Sequence, residues 1–222
     1  MYRELTSNDA LLLLTSAGWT IYISAIAVLF GGLLGFGVAL LRTSGVRLLE
    51  LAAALYIQLF QAIPLIILLL LFYYGLSALG FGVTRVSSAG VALSLFTGAF
   101  LGEIWRGSIQ SVPKAQWQAA SALGIGDIAR LFHVILPQAL RISLPPTVGF
   151  VVQLIKGTSL VSILGIVELT RAGQMLNNAT FKPFLVFGTV GALYFLICFP
   201  LSSLSRYLER KLNVGGRTVQ GM

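Results

Sequence analysis

The sequence predicts an all-α integral membrane protein with about five transmembrane helices, and three observations carry this prediction. Hydrophobic residues make up 57% of the 222 residues and charged residues only 10%, against about 25% in soluble proteins. Mean hydropathy is +0.91, which implies more apolar surface than a soluble globule can expose. The apolar residues fall in long charge-free runs that lack the alternation a membrane β-barrel requires.

The individual elements follow from these runs, because about 20 apolar residues in a helix cross the hydrocarbon core. The first run, Ala10 to Leu41, is too long for one perpendicular span, and we expect it to divide near Gly18. Pro64, within the second run, is expected to kink or begin a helix. The chain is thus predicted to be one transmembrane domain, 1–222, with a surface helix at 9–17, spans at about 19–41, 52–79, 87–106, 138–166 and 183–206, and a loop at 111–137.

The distribution of Lys and Arg predicts the orientation of these spans. Cytoplasmic loops of membrane proteins are enriched in both residues. With the N-terminus outside and the C-terminus inside, ten basic residues from Arg42 to Arg217 lie inside. Four lie outside: Arg3, Arg85, Arg171 and Lys182. An N-out, C-in topology is therefore expected, with 111–137, here named the interspan loop, on the cytoplasmic side between spans three and four.

The net charge of +8 does not indicate a nucleic-acid partner, because the 15 Lys and Arg are scattered singly between uncharged runs. They are typical of positions flanking a lipid bilayer. The lone cysteine, Cys198, cannot form an internal disulfide, and no cluster of potential ligands suggests a metal site.

The sequence of the interspan loop predicts two short helices joined by a glycine turn. Pro113 suits a helix start, and Lys114 to Leu123 contains no helix breaker. Gly124 suits a helix stop, and Gly126-Asp127 can cap a second helix. An amphipathic helix that lies on the bilayer surface would give a similar pattern. The spacing of particular residues therefore has to distinguish such a helix from a loop with a specific function.

That spacing is Gln118-Ala119-Ala120, three residues, Gly124, nine residues, then Val134-Ile135-Leu136-Pro137. It resembles the EAA loop of the permease subunits of binding-protein-dependent ABC importers. Gln118 replaces the Glu of that pattern and Val134 replaces an Ile. The resemblance extends to the polar amino acid permeases through three further stretches: Gln58 to Leu65, Gly102 to Lys114, and Leu154 to Ser162.

The resemblance implies a type I ABC permease fold in a multi-pass protein of the cell inner membrane, which is not itself an enzyme. Two permease subunits, identical or related, would enclose a path for polar amino acids. The implied partners are two cytosolic ATPases and an extracytoplasmic amino acid binding protein. The chain has no phosphate-binding loop, so ATP and Mg would be bound by the partner ATPase and this chain would hold no cofactor. The residues expected to couple to the ATPase are Gln118, Ala119, Ala120, Leu123, Gly124, Asp127 and Pro137.

A path for a zwitterion needs polar groups at membrane depth that replace lost hydration. The chain offers few such groups, and Glu103 and Lys156 could instead neutralise one another as a structural pair. The candidate path residues are Gln58, Gln61, Glu103, Gln153, Lys156, Thr158 and Ser159.

Two alternative interpretations of the chain remain at this point. An ion-coupled secondary transporter of a small polar solute usually shows internal repeats and broken helices. A membrane scaffold would not need an ordered loop motif. The glycines Gly31, Gly32, Gly35 and Gly37 lie mid-membrane with no preceding strand, so they predict close helix packing rather than a nucleotide loop.

Overall fold

Helices make up almost all of the computed structural model, which describes residue 4 and residues 6–212. Arg3 and Arg217, two of the charges that predict the orientation, lie outside the described residues. In chain order the α-helices are α1 (Ser7–Arg42), α2 (Arg47–Ala62), α3 (Leu65–Leu70), α4 (Leu76–Ala78), α5 (Arg85–Gln110), α6 (Lys114–Ala122), α7 (Asp127–Arg130), α8 (Leu136–Gly157), α9 (Leu169–Thr180) and α10 (Pro183–Leu212). Single π-helical segments, Leu71–Gly75 and Leu131–Ile135, join α3 to α4 and α7 to α8, and a 3-10 helix, Thr158–Leu164, follows α8.

Four segments of the described residues are long and apolar enough to cross a membrane: Ser7–Arg42, Arg85–Gln110, Asp127–Leu164 and Pro183–Leu212. The pair Arg47–Ala62 and Leu65–Ala78 passes the same test together, although it bends by 100°. Counting that bent pair as one span gives five, so the helical class and the number of spans agree with the sequence prediction.

The predicted break near Gly18 does not occur, because α1 is one continuous 36-residue helix. At about 1.5 Å per residue its length is about 54 Å, well beyond a hydrocarbon core of about 30 Å. A glycine costs a helix only about 1 kcal/mol, less than leaving backbone groups unpaired in lipid. The helix begins where Thr6 donates its backbone N–H to the Asp9 carboxylate at 2.8 Å.

The predicted single span 52–79 is wrong in shape, since the chain bends sharply at Ile63-Pro64. Ile63 is extended, with φ −87° and ψ 128°, as the residue before a proline prefers. Pro64 precedes the first turn of α3, whose Ile67 N–H binds the Pro64 carbonyl at 2.9 Å. Pro64 therefore begins a helix as predicted, and the chain bends there by 100°.

The core forms where α1 packs along α5, with the 3-10 helix closing one end. Ile23 and Ala27 of α1, Leu93 of α5 and Val161 of the 3-10 helix share one buried apolar cluster. A second cluster holds α9 against α1 and α10 through Leu13, Leu169, Ala172, Leu176, Val186 and Val190.

Helix α9 is absent from the sequence prediction. It lies between the span that ends at Leu164 and α10. Its buried residues Leu169, Ala172, Gly173 and Leu176 recur at helical spacing, a signal the charge-free runs did not include.

Candidate functional site

The interspan loop folds as two short helices, α6 and α7, at the end of α5 opposite the turn at 79–84. Pro113 immediately precedes α6 with φ −53° and ψ 135°, as its sequence position predicted. The helix ends at Ala122, two residues before Gly124.

Gly124 ends α6 through a Schellman motif, which pairs the last carbonyls of the helix. Its φ is +73°, a conformation that a residue with a Cβ rarely adopts. The Gly124 N–H binds the Ser121 carbonyl at 3.0 Å, and the Ile125 N–H binds the Ala120 carbonyl at 3.1 Å. The predicted helix stop at Gly124 is therefore confirmed.

The predicted coupling residues of α6 divide between two faces. Ala120 is only 4% exposed and is held against the protein, together with half-buried Trp117. Gln118 and Ala119 are exposed, and Leu123 is 78% exposed at the tip of the loop. The outward face thus presents Gln118, Ala119 and Leu123, while Ala120 anchors the helix.

Of the predicted cap residues Gly126 and Asp127, only Gly126 caps the second helix, and the prediction is wrong for Asp127. Gly126 occupies the cap position and Asp127 is the first helical residue. The Asp127 carboxylate instead pairs with the guanidinium of Arg130, one turn along the same helix. Its position as a first-turn acid still suits the helix dipole.

Pro137 is the second residue of α8, directly after the π-helical segment Leu131–Ile135. It is exposed, whereas its neighbours Ile135 and Leu136 are buried in a cluster with Ile109 and Val112. The helix that begins at Asp127 continues through the π-helical segment Leu131–Ile135 into α8 without a break.

The candidate path residues of α2, Gln58 and Gln61, are exposed in the isolated chain. They are three residues apart and share one side of the helix. The Gln61 amide donates to the Ala99 carbonyl of α5 at 3.4 Å, and the Tyr56 hydroxyl donates to the Leu95 carbonyl at 2.6 Å. These two bonds attach α2 to α5.

Glu103 forms an ion pair with Arg106 on its own helix rather than with Lys156. The Arg106 Nε donates to the Glu103 carboxylate at 2.8 Å, and a second guanidinium nitrogen completes a bidentate pair. The structural pairing of Glu103 with Lys156, one of the two alternatives considered from sequence, is therefore wrong.

The candidates at the end of α8 differ in what they can offer a solute. Gln153 and Lys156 are exposed on one side of α8, and Lys156 takes part in no ion pair within the described part of the chain. Ser159 is half-buried. Thr158 is fully buried and its hydroxyl donates to the Ile155 carbonyl at 2.7 Å, so it is a structural residue here.

A buried carboxylate that sequence reasoning missed lies at the start of α9. Glu168 is fully buried, and its oxygens accept the N–H groups of Thr170 at 2.9 Å and Arg171 at 2.8 Å. The Tyr194 hydroxyl of α10 donates to Glu168 at 3.1 Å. The backbone N–H of Leu169 donates to the Thr20 hydroxyl of α1 at 3.2 Å. This cluster joins α1, α9 and α10.

Comparison with known proteins identifies the family. Residues 27–214 match the family described as "Binding-protein-dependent transport system inner membrane component". The L-cystine transport system permease protein TcyB of Bacillus subtilis (strain 168) is 37% identical over 196 residues, covering 88% of this chain and 84% of that protein. The histidine/lysine/arginine/ornithine transport system permease protein HisM of Salmonella typhimurium is 32% identical over 207 residues, covering 89% and 88%.

A solved structure agrees with this assignment. The crystal structure of an amino acid ABC transporter with histidines aligns with a TM-score of 0.86 and 29% identity, over 95% of this chain and all of that one. These findings favour an importer permease over the ion-coupled alternative. The chain belongs to the family of binding-protein-dependent transport system inner membrane components, as a permease of the amino acid ABC importer type.

Proposed function

We propose that this chain, in the cell inner membrane, forms half of a translocation path for polar amino acids and docks a cytosolic ATPase through the outward face of the interspan loop. The second half of the path would come from another permease subunit. An extracytoplasmic binding protein would deliver the substrate. Family membership supports the importer assignment, and the geometry of the loop supports the docking role.

The observation that carries the docking role is the exposed apolar tip of a firmly anchored helix. Leu123 is 78% exposed and Ile128, on the second arm, is 77% exposed. Ala120 on the opposite face is buried. Large apolar side chains displayed on a short, anchored loop are typical of a surface that another protein covers. Gln118 supplies a neutral hydrogen-bonding group beside them.

The docking role is tested by comparing two leucines of matched exposure at opposite ends of α5. Leu79, in the turn before α5, is 75% exposed, close to Leu123. In the reconstituted complex we expect Leu123→Asp to abolish stimulation of ATP hydrolysis by the substrate-loaded binding protein. Leu79→Asp should retain it. Equal loss in both variants, or full stimulation in Leu123→Asp, would contradict docking at this tip.

We further propose that Gln58, Gln61, Gln153, Lys156 and Ser159 face the path. Four of these side chains are exposed and Ser159 is half-buried. Exposed polar side chains in apolar segments avoid lipid, and a water-filled path between two subunits is the alternative environment. Lys156 is the exposed cation in this set and suits the carboxylate that every free amino acid carries. Glu103 with Arg106 would lie nearer the interspan loop, as a neutralised pair.

The role of Lys156 is tested by uptake in proteoliposomes. Lys156→Ala should raise the substrate concentration for half-maximal transport at least about tenfold, the loss expected of one charged hydrogen bond worth about 1.5–3 kcal/mol. Lys156→Arg should restore part of it. Lys182→Ala, an exposed cation in the link before α10, serves as the control. An unchanged transport profile in Lys156→Ala refutes the assignment.

A further inference from the structure

The turn between α6 and α7 contains two glycines in open space, one on each side of the half-buried Ile125. Gly124 and Gly126 both lie in this turn, and a Cβ added to either would meet nothing within 4 Å. A glycine-containing turn in open space is conformationally permissive. Contacts outside the turn therefore contribute to fixing the two helices relative to each other.

Arg130 connects the two helices across that turn. From the end of α7 its guanidinium donates to the Ser121 hydroxyl of α6 and pairs with the Asp127 carboxylate of α7. The guanidinium carbon also lies 5.8 Å from the ring centroid of Trp117, within cation–π range. The Arg130 side chain is 18% exposed, although its partner Asp127 is 90% exposed.

These contacts reach the body of the protein at both ends. The Trp117 ring packs against the buried cluster that contains Ile109 and Ile135. The Ser121 hydroxyl is itself bound to the Trp117 carbonyl at 3.0 Å. On the other side, the residue after Arg130 begins the π turn that leads directly into α8.

We propose that Arg130 is a positioning residue that makes α6 and α7 one rigid body, so that a displacement of α6 reaches α8 through the guanidinium rather than through the glycine turn. The inference rests on the proposed function of the interspan loop. The planar guanidinium group suits this role because its fork of N–H donors binds two partners at fixed angles while the plane stacks on an aromatic ring. Loss of the guanidinium would leave the apolar contact of Trp117 with the cluster of Ile135 and Leu136 as the remaining link, so α6 would move more freely relative to α8.

The test separates coupling from assembly. In the complete complex with its binding protein, Arg130→Gln should retain ATP hydrolysis but raise the number of ATP molecules hydrolysed per amino acid imported at least threefold. Arg130→Lys, which keeps the charge without the fork, should be intermediate. Arg141→Gln, an exposed arginine on α8, is the matched control and should leave the ratio unchanged.

A distance measurement supplies a readout that does not depend on transport. Spin labels at Ala115 of α6 and Leu140 of α8, in a Cys198→Ala background, should give a narrow distance distribution that broadens in Arg130→Gln. An unchanged distribution and an unchanged ratio overturn the inference. If Arg130→Gln does not assemble, the double variant Ser121→Ala/Asp127→Ala removes both polar partners with Arg130 in place, and the same two readouts decide.

Failure of the proposed function would look different. In that case the unmodified complex itself would show no stimulation by the loaded binding protein, whereas the spin-label distances would still report whether Arg130 holds the helices together.

Discussion

The packing of α1 on α5 predicts that two glycines of α1 respond in opposite directions to the same substitution. A Cβ added at Gly31 would lie 2.5 Å from the Thr97 Cβ and 2.8 Å from the Ser94 carbonyl oxygen. Neither atom can rotate away, because one is a Cβ and the other is backbone. A Cβ added at Gly37, six residues along, would meet nothing within 4 Å.

The magnitude follows from these distances. Overpacking of a tight site costs about 1–3 kcal/mol, so Gly31→Ala should lower the free energy of unfolding by that amount. Gly37→Ala should be neutral or raise it by up to about 1 kcal/mol, because alanine favours a helix. The assay is reversible unfolding in mixed micelles, with the two variants measured side by side. The reasoning is refuted if Gly31→Ala proves as stable as Gly37→Ala.

Two other predictions concern buried hydrogen bonds. Glu168→Ala leaves the N–H groups of Thr170 and Arg171 without their acceptor and should lower the free energy of unfolding by about 2–3 kcal/mol. Glu168→Gln keeps one side-chain oxygen and should lower it less. Equal losses in the micelle assay would contradict a hydrogen-bonding role for Glu168. The Trp105 ring nitrogen donates to the Thr147 hydroxyl at 2.9 Å and links α5 to α8, so Trp105→Phe and Thr147→Val should each cost about 1 kcal/mol. The double variant should cost clearly less than the sum, and simple additivity would show that the bond contributes nothing.

Much of the candidate docking loop was predictable from local sequence. The helix stop at Gly124 depends on a glycine that can adopt positive φ, and the start after Pro113 depends on a missing N–H. Both are properties of single residues and their immediate neighbours. The helical fold and the number of spans were predictable as well, because lipid requires every backbone group to be paired within the segment.

The path candidates were predictable only as a set of polar residue types. Glu103 could pair with a residue one turn away or with Lys156 across the bundle, and both arrangements satisfy charge neutrality. Which one forms depends on the relative position of α5 and α8. Thr158 was selected for its hydroxyl, which the fold directs back to the Ile155 carbonyl of its own helix.

Residue composition and periodicity by themselves determined that this chain lies in a membrane as helices and that a short, glycine-ended helix separates two spans. Tertiary structure alone decided which side of that helix is free and that Arg130 and Glu168 join separate elements. The physical reason is the distance along the chain over which each interaction acts. Hydrophobic transfer, capping and proline geometry act within a few residues, whereas the partner of a side chain such as Glu168 depends on which helices pack together.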